Sequence, residues 1–135
     1  MGPRWLRPLI YGVGDVFFRL SGRKTLRLIT VGAKSGREHE VPLLGFADGP
    51  DAWLIVASAG GSAKHPAWYY NMARNPDKIW AQMAGRGRLR VNAESLTGAA
   101  REAAWQKVVS SYAGYQTYAT KTDREIPVVR LTPAA

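Results

Sequence analysis

Tyr112, Tyr115 and Tyr118 recur every three residues, just ahead of the run T-K-T-D-R-E-I-P. On a helix or a turn, that spacing lines three phenols along one side. Three hydroxyls within seven residues need partners, which a half-polar pocket wall supplies more readily than a closed core. Core packing is the competing reading. A second stretch runs from Ser58 through Ala59, Gly60 and Gly61 to Lys64, His65 and Pro66, and then into Trp68, Tyr69 and Tyr70. Missing side chains let a ligand lie against main chain, and a helix beginning just beyond offers free N–H groups to an anion. Lys64 adds a positive charge there. A tight strand-to-helix turn accounts for the glycines equally well. The third stretch is Lys34-Ser35-Gly36-Arg37, a basic turn whose N–H groups and charges suit a phosphate. The same four residues also make an ordinary turn.

The familiar catalytic sets are missing. His39 and His65 lie far apart and show no metal-ligand spacing, so no metal site is expected. No strand is followed by a G-x-S-x-G elbow, a Walker loop or a G-x-G-x-x-G turn. Most acidic residues fall in turns, where paired catalytic carboxylates are hard to assemble. There is no cysteine, which excludes disulfides, thiolate ligands and thiol nucleophiles. An enzyme of this composition needs a cofactor to carry its reaction.

The elements that must position these residues can be read from periodicity. Thr25–Gly32 alternates and is β-branched, His39–Ala47 forms a second strand, and Ala52–Ser58 is a nearly continuous apolar run expected to be the most buried strand. Pro42 has no N–H and is expected at an edge or a bulge. His65–Asn75 reads as a short helix, with Pro66 in its first turn and Asn75-Pro76 ending it. Lys78–Met83 and Leu89–Ser95 form a hairpin. Thr97 is placed to cap a helix running to Tyr115, with Ala100, Ala104, Val108 and Tyr112 on one face. Ile126–Leu131 is a last strand. Six strands with short connections predict a mostly β fold with flanking helices: an antiparallel barrel with helices packed outside it.

At 135 residues and 46% hydrophobic content, the chain suits one domain with a substantial core. Nineteen Lys and Arg face ten Asp and Glu, a net charge of +9. Such a surface attracts polyanions, but scattered charge is more often a solvated face. No nucleic-acid partner is expected, because no aromatic-basic RNA-binding strand motif is present. The N-terminal stretch, about residues 4–21, has an apolar stripe of Trp5, Leu9, Val13, Val16, Phe17 and Leu20 flanked by Arg4, Arg7 and Arg19. It reads either as a helix covering the barrel or as one lying on a membrane surface. No export signal is recognised, so the expected location is the cytoplasm, with peripheral contact at the inner face of the cell membrane if the second reading holds.

The segments G-A-K-S-G, V-P-L-L-G-F, V-A-S-A-G-G-S-A-K-H-P-A-W-Y-Y-N-M-A-R-N-P and Y-A-G-Y-Q-T-Y-A-T-K-T-D-R-E-I-P-V-V follow one another in order. Together they resemble the deazaflavin-dependent nitroreductase and quinone reductase family of actinobacteria, over nearly all of residues 25–133. The resemblance implies a split β-barrel of the kind also found in FMN-binding oxidoreductases, with coenzyme F420 as an exchangeable co-substrate. It implies hydride transfer to a quinone, nitroaromatic or enone acceptor, in a monomer or homodimer. It places Lys34 at the coenzyme's anionic tail, Ser58 beside the deazaflavin ring, and Tyr112, Tyr115 and Tyr118 on the acceptor side. The coenzyme-binding set expected from it is Lys34, Ser35, Gly36, Arg37, His39, Pro42, Ser58, Ala59, Gly60, Gly61, Lys64 and Trp68. The expected catalytic set is Tyr112, Tyr115, Tyr118 and Ser58. Ala33, His39 and Ala59 stand where the family often has basic residues. That departure sustains an alternative, a non-catalytic barrel binding F420, FMN, haem or a lipid.

Overall fold

A computed structural model describes residues 23–83 and 87–134. The expected N-terminal helix at about residues 4–21 lies outside the described residues. Among the described residues there are six strands: β1 (Arg23–Val31), β2 (Glu38–Ala47), β3 (Trp53–Val56), β4 (Ile79–Met83), β5 (Leu89–Ser95) and β6 (Val128–Pro133). The same described residues hold three α-helices, α1 (Ala67–Arg74), α2 (Gly98–Ser111) and α3 (Gly114–Ala119), and a 3-10 turn at Ala59–Gly61. The strands close into an antiparallel barrel in the order β1-β2-β3-β6-β5-β4. Among the described residues, no helix is long and apolar enough to cross a membrane.

Alternation sets the barrel interior. Leu26 and Leu28 of β1, Ile79, Ala81 and Met83 of β4, Val91 of β5 and Leu131 of β6 meet in one cluster with Trp53 and Ile55 of β3. The other face of β3, through Leu54 and Val56, packs with Phe46 and Val128 against Ala104, Trp105 and Val108 of α2. β3 is therefore covered on both faces. A strand in that position must be apolar at every residue, and W-L-I-V is buried throughout.

Strands β2 and β3 part along a seam. β1 and β2 pair along their whole length, from Arg23↔Phe46 to Val31↔Glu38. β2 and β3 pair through Phe46↔Leu54 and Ala47↔Trp53 at one end. The rest of β2 diverges from β3, so Pro42 pairs with Arg27 on one side and has no β3 partner on the other. A residue without an N–H is accommodated there at no loss to the ladder. Asp48, just past β2, accepts hydrogen bonds from Lys107 Nζ at 2.8 Å and Arg130 Nε at 2.7 Å, fastening the closed end of the seam to α2 and β6.

The helix after β5 differs from expectation in two ways. Its buried residues are Arg101, Ala104, Trp105 and Val108, and Ala100 is exposed. Arg101 can occupy a core-facing position because its Nη2 donates to the Ile126 carbonyl at 2.6 Å and its guanidinium lies 4.8 Å from the Trp105 ring centroid. The helix also ends at Ser111, where Tyr112 turns to extended backbone (φ −148°, ψ 98°). The Tyr112 ring folds back over Gly114, at which a Cβ would stand 2.7 Å from the ring. Tyr115 and Tyr118 thus belong to a separate short helix, α3.

Candidate functional site

Two cavities that share lining residues lie beside β2. The larger, about 650 Å³, lies between the turn after β1 and the start of α1. Lys34, Ser35 and His39 line it from the turn, with Thr30, Val41, Trp68, Tyr70 and Asn71 around them. The smaller, about 430 Å³, fills the gap between diverging β2 and the end of β3. Pro42, Leu43 and Leu44 line one side of it, Ser58, Ala59 and Gly60 another, and Tyr112, Tyr115 and Tyr118 a third. Val41 and Trp68 border both cavities, so the groove formed by the pair has Lys34 lining one cavity and the three tyrosines lining the other.

The turn at the larger cavity is held by its own bonds and by α1. Gly36 N–H donates to the Gly32 carbonyl (3.0 Å), and Arg37 N–H to Ser35 Oγ (3.1 Å). Those two N–H groups are thus engaged inside the turn, and Lys34 lines the cavity beside it. Asn71, buried on α1, accepts from Ala33 N–H (3.0 Å) and donates to Thr30 Oγ1 (3.2 Å). Asn75 Nδ2 donates to the Val31 carbonyl (3.2 Å). Helix α1 buries Trp68, Asn71 and Met72, the spacing of a single face, so the same face packs the core and fixes the turn.

At the smaller cavity the chain leaves β3 at Ser58 and makes one 3-10 turn, Ala59–Gly61. Gly61 N–H donates to the Ser58 carbonyl (2.9 Å) and Ser62 N–H to the Ala59 carbonyl (3.1 Å). Ala59, Gly60 and Gly61 have φ of 48°, 64° and 82°. A Cβ on Gly60 would meet nothing, whereas one on Gly61 would stand 2.8 Å from the Tyr118 carbonyl oxygen. The glycine pair thus divides its work: Gly60 keeps the cavity clear, and Gly61 lets the loop pack on α3.

The tyrosines form a continuous edge-to-face array. Ring centroids of Tyr112 and Tyr115 are 5.1 Å apart, those of Tyr115 and Tyr118 5.8 Å, and Phe46 meets Tyr115 edge-on at 5.8 Å. Burial, with Tyr112 and Tyr118 alongside, pushes the Tyr115 phenol up to about 12, so it stays a neutral donor across the physiological range. Lys121 Nζ lies 5.6 Å from the Tyr118 ring centroid.

Of the residues expected at the site, Lys34, Ser35, His39, Pro42, Ser58, Ala59, Gly60, Trp68 and the three tyrosines line the groove. Gly36, Arg37, Gly61 and Lys64 do not line either cavity. Sequence reasoning missed Asn71, which lines the larger cavity and ties α1 to the turn. It also missed Arg124, whose guanidinium bonds the carbonyls of the Ser58 loop. The T-D-R run was the available signal for Arg124, but nothing in it indicates those distant acceptors.

The fold is a split barrel whose cavities are lined by a lysine, small residues and three tyrosines. Comparison with known proteins names the family. The sequence pattern of the F420H(2)-dependent quinone reductases matches residues 11–133. A relative from Mycobacterium tuberculosis, named as an F420H(2)-dependent quinone reductase, is 38% identical over 123 residues, covering 88% of this chain and 80% of its own. A solved F420H(2)-dependent reductase superposes with a TM-score of 0.69 at 40% identity, covering 79% of this chain and 92% of that one. Another solved structure, described as a domain-swapped dimer, gives the same TM-score and identity over 79% of this chain and 78% of that one. The chain belongs to the F420H(2)-dependent quinone reductase family. It is an oxidoreductase whose cofactor is coenzyme F420, and the non-catalytic alternative is set aside.

Proposed function

We propose that the groove seats coenzyme F420 lengthwise, with its anionic tail toward Lys34 and its ring against Ser58, Ala59 and Gly60, and that a quinone binds against the tyrosines. The observation that carries this reading is that the cavity at the Lys34 turn and the cavity at the tyrosine array share Val41 and Trp68 as walls. The residues fit the group. The open space at Gly60 admits a flat ring against main chain, and the apolar lining from Pro42 to Leu44 suits its faces. Lys34 supplies a charge-assisted contact for a phosphate or carboxylate.

When bound, the reduced deazaflavin supplies a hydride from its C5. The protein's own part is binding, orientation and protons. Val41 and Trp68 line both cavities, and the loop at Ser58 sets how near a ring can approach β3. Tyr112 or Tyr118 gives a proton to the acceptor oxygen that becomes negative on reduction. Tyr115, neutral and packed between them, keeps both rings in place. A nitroaromatic or enone presents a comparable oxygen to the same wall. Homodimer formation is consistent with the domain-swapped relative and is part of this proposal.

Fluorescence titration tests the coenzyme assignment. F420 is expected to bind more tightly than FMN, with affinity falling as salt is raised because the contact at Lys34 is exposed to screening. Equal affinity for both, or binding of neither, contradicts it.

A further inference from the structure

Arg124 lies between α3 and β6, six residues beyond Tyr118, and lines neither cavity. Its guanidinium faces the back of the Ser58 loop. Nε donates to the Ser62 carbonyl (2.9 Å), Nη1 to the Ala57 carbonyl (3.1 Å) and Nη2 to the Ser58 carbonyl (2.7 Å). Nη1 also lies 2.9 Å from Nδ1 of His65, which therefore accepts. Three carbonyls and one imidazole, spread from the end of β3 to the start of α1, converge on one planar group.

Ala57 and Ser58 are buried, and buried carbonyls require donors. A rigid fork of five N–H groups reaches several acceptors at once, which a single ammonium cannot do. The loop needs holding, because Ala59 adopts a left-handed φ of 48° that alanine disfavours on its own. Gly61, packed on the Tyr118 carbonyl, closes the same joint from the other side.

We propose that Arg124 is the positioning residue of the coenzyme-side loop, fixing Ser58 and Gly60 relative to Tyr112, Tyr115 and Tyr118. The proposal rests on the assignment of the groove to F420. It gives the T-D-R run a defined role, since one side chain ties the surface that meets the coenzyme to the segment that carries the acceptor wall.

The test compares wild type, Arg124→Ala and Arg124→Lys in two measurements. The first is amide hydrogen exchange at Gly61 and Ser62 without coenzyme, since their N–H groups close the loop. The second is the F420 dissociation constant by fluorescence. Arg124→Ala should exchange faster at both amides and bind F420 more weakly by roughly tenfold or more. Added methylguanidinium should restore both, and Arg124→Lys should fall short of wild type in both. Unchanged exchange and affinity in folded Arg124→Ala overturn the proposal. So does weaker binding with unchanged exchange, which assigns Arg124 to direct charge attraction. Should Arg124→Ala fail to fold, Arg124→Lys decides by the same two readouts, and wild-type values in both overturn the proposal. If wild type itself does not bind F420, the coenzyme assignment fails, while loop exchange still reports whether Arg124 holds the loop.

Discussion

Gly61 sits against Tyr118 so closely that a Cβ on it would come within 2.8 Å of the Tyr118 carbonyl oxygen. Its neighbour Gly60 has open space in the same place. Both have left-handed φ, so alanine at either carries a backbone penalty of about 1 kcal/mol. Only at Gly61 does a clash with main chain add to it. Gly61→Ala should lower the melting temperature distinctly more than Gly60→Ala. Gly60→Ala should instead weaken F420 binding, because Gly60 lines the cavity proposed to take the ring. Equal melting temperatures for the two variants would refute this division of roles.

Lys34 is exposed and lines one cavity of the groove, on a turn whose bonds come from other residues. Lys34→Ala should weaken F420 binding by about tenfold at low salt and by less at high salt. Its melting temperature should match wild type. Normal affinity with a lowered melting point would give Lys34 a structural role.

For the tyrosines, removing a hydroxyl while keeping the ring separates proton donation from shape. A general acid contributes on the order of a hundredfold or more to turnover. Tyr112→Phe or Tyr118→Phe should reduce kcat by that amount while the F420 dissociation constant holds. Tyr115→Phe should lower kcat by a few-fold, since a phenol at about 12 gives up its proton poorly and its ring remains packed on Phe46. Falls of only a few-fold in both outer variants would leave the array a steric and stacking surface.

Acid should loosen the loop before it loosens the barrel. Burial, and then the Arg124 guanidinium beside it, hold the His65 imidazole below its usual 6.5. A depressed folded value means that stability is present above 6.5 and is lost as pH falls through the folded value. Burial alone would raise the Asp48 carboxyl, but hydrogen bonds from Lys107 and Arg130 outweigh it and hold the group below 3.8. The Asp48 contribution is therefore lost only at more acid pH, as its folded value is passed. Denaturant midpoints followed against pH should decline first below 6.5, and His65→Gln should flatten that first decline. A decline unaltered in His65→Gln would assign it to other groups.

Strand positions were legible because they follow from alternation and from how many faces are covered. Leu89–Ser95 forms β5 as its pattern predicts, and unbroken W-L-I-V marks the strand sandwiched between barrel interior and α2. Pro42 was expected at an edge or a bulge, and it lies where β2 leaves β3. Polar residues buried by distant partners were not legible. Arg101 occupies a core position because of the Ile126 carbonyl, and Arg124 reaches carbonyls 62 to 67 residues earlier in the chain. No periodicity encodes such pairings. Gly60 and Gly61 are alike in sequence and acquire different roles only when α3 packs on the loop.

The most direct measurement follows oxidation of reduced F420 under anaerobic conditions with menadione as acceptor, wild-type protein against buffer. Catalysed loss of the reduced coenzyme that depends on both protein and quinone, and saturates with each substrate, is the predicted result. Oxidation no faster than in buffer, with menadione and with every other quinone tried, would contradict the assignment of this chain as an F420-dependent quinone reductase.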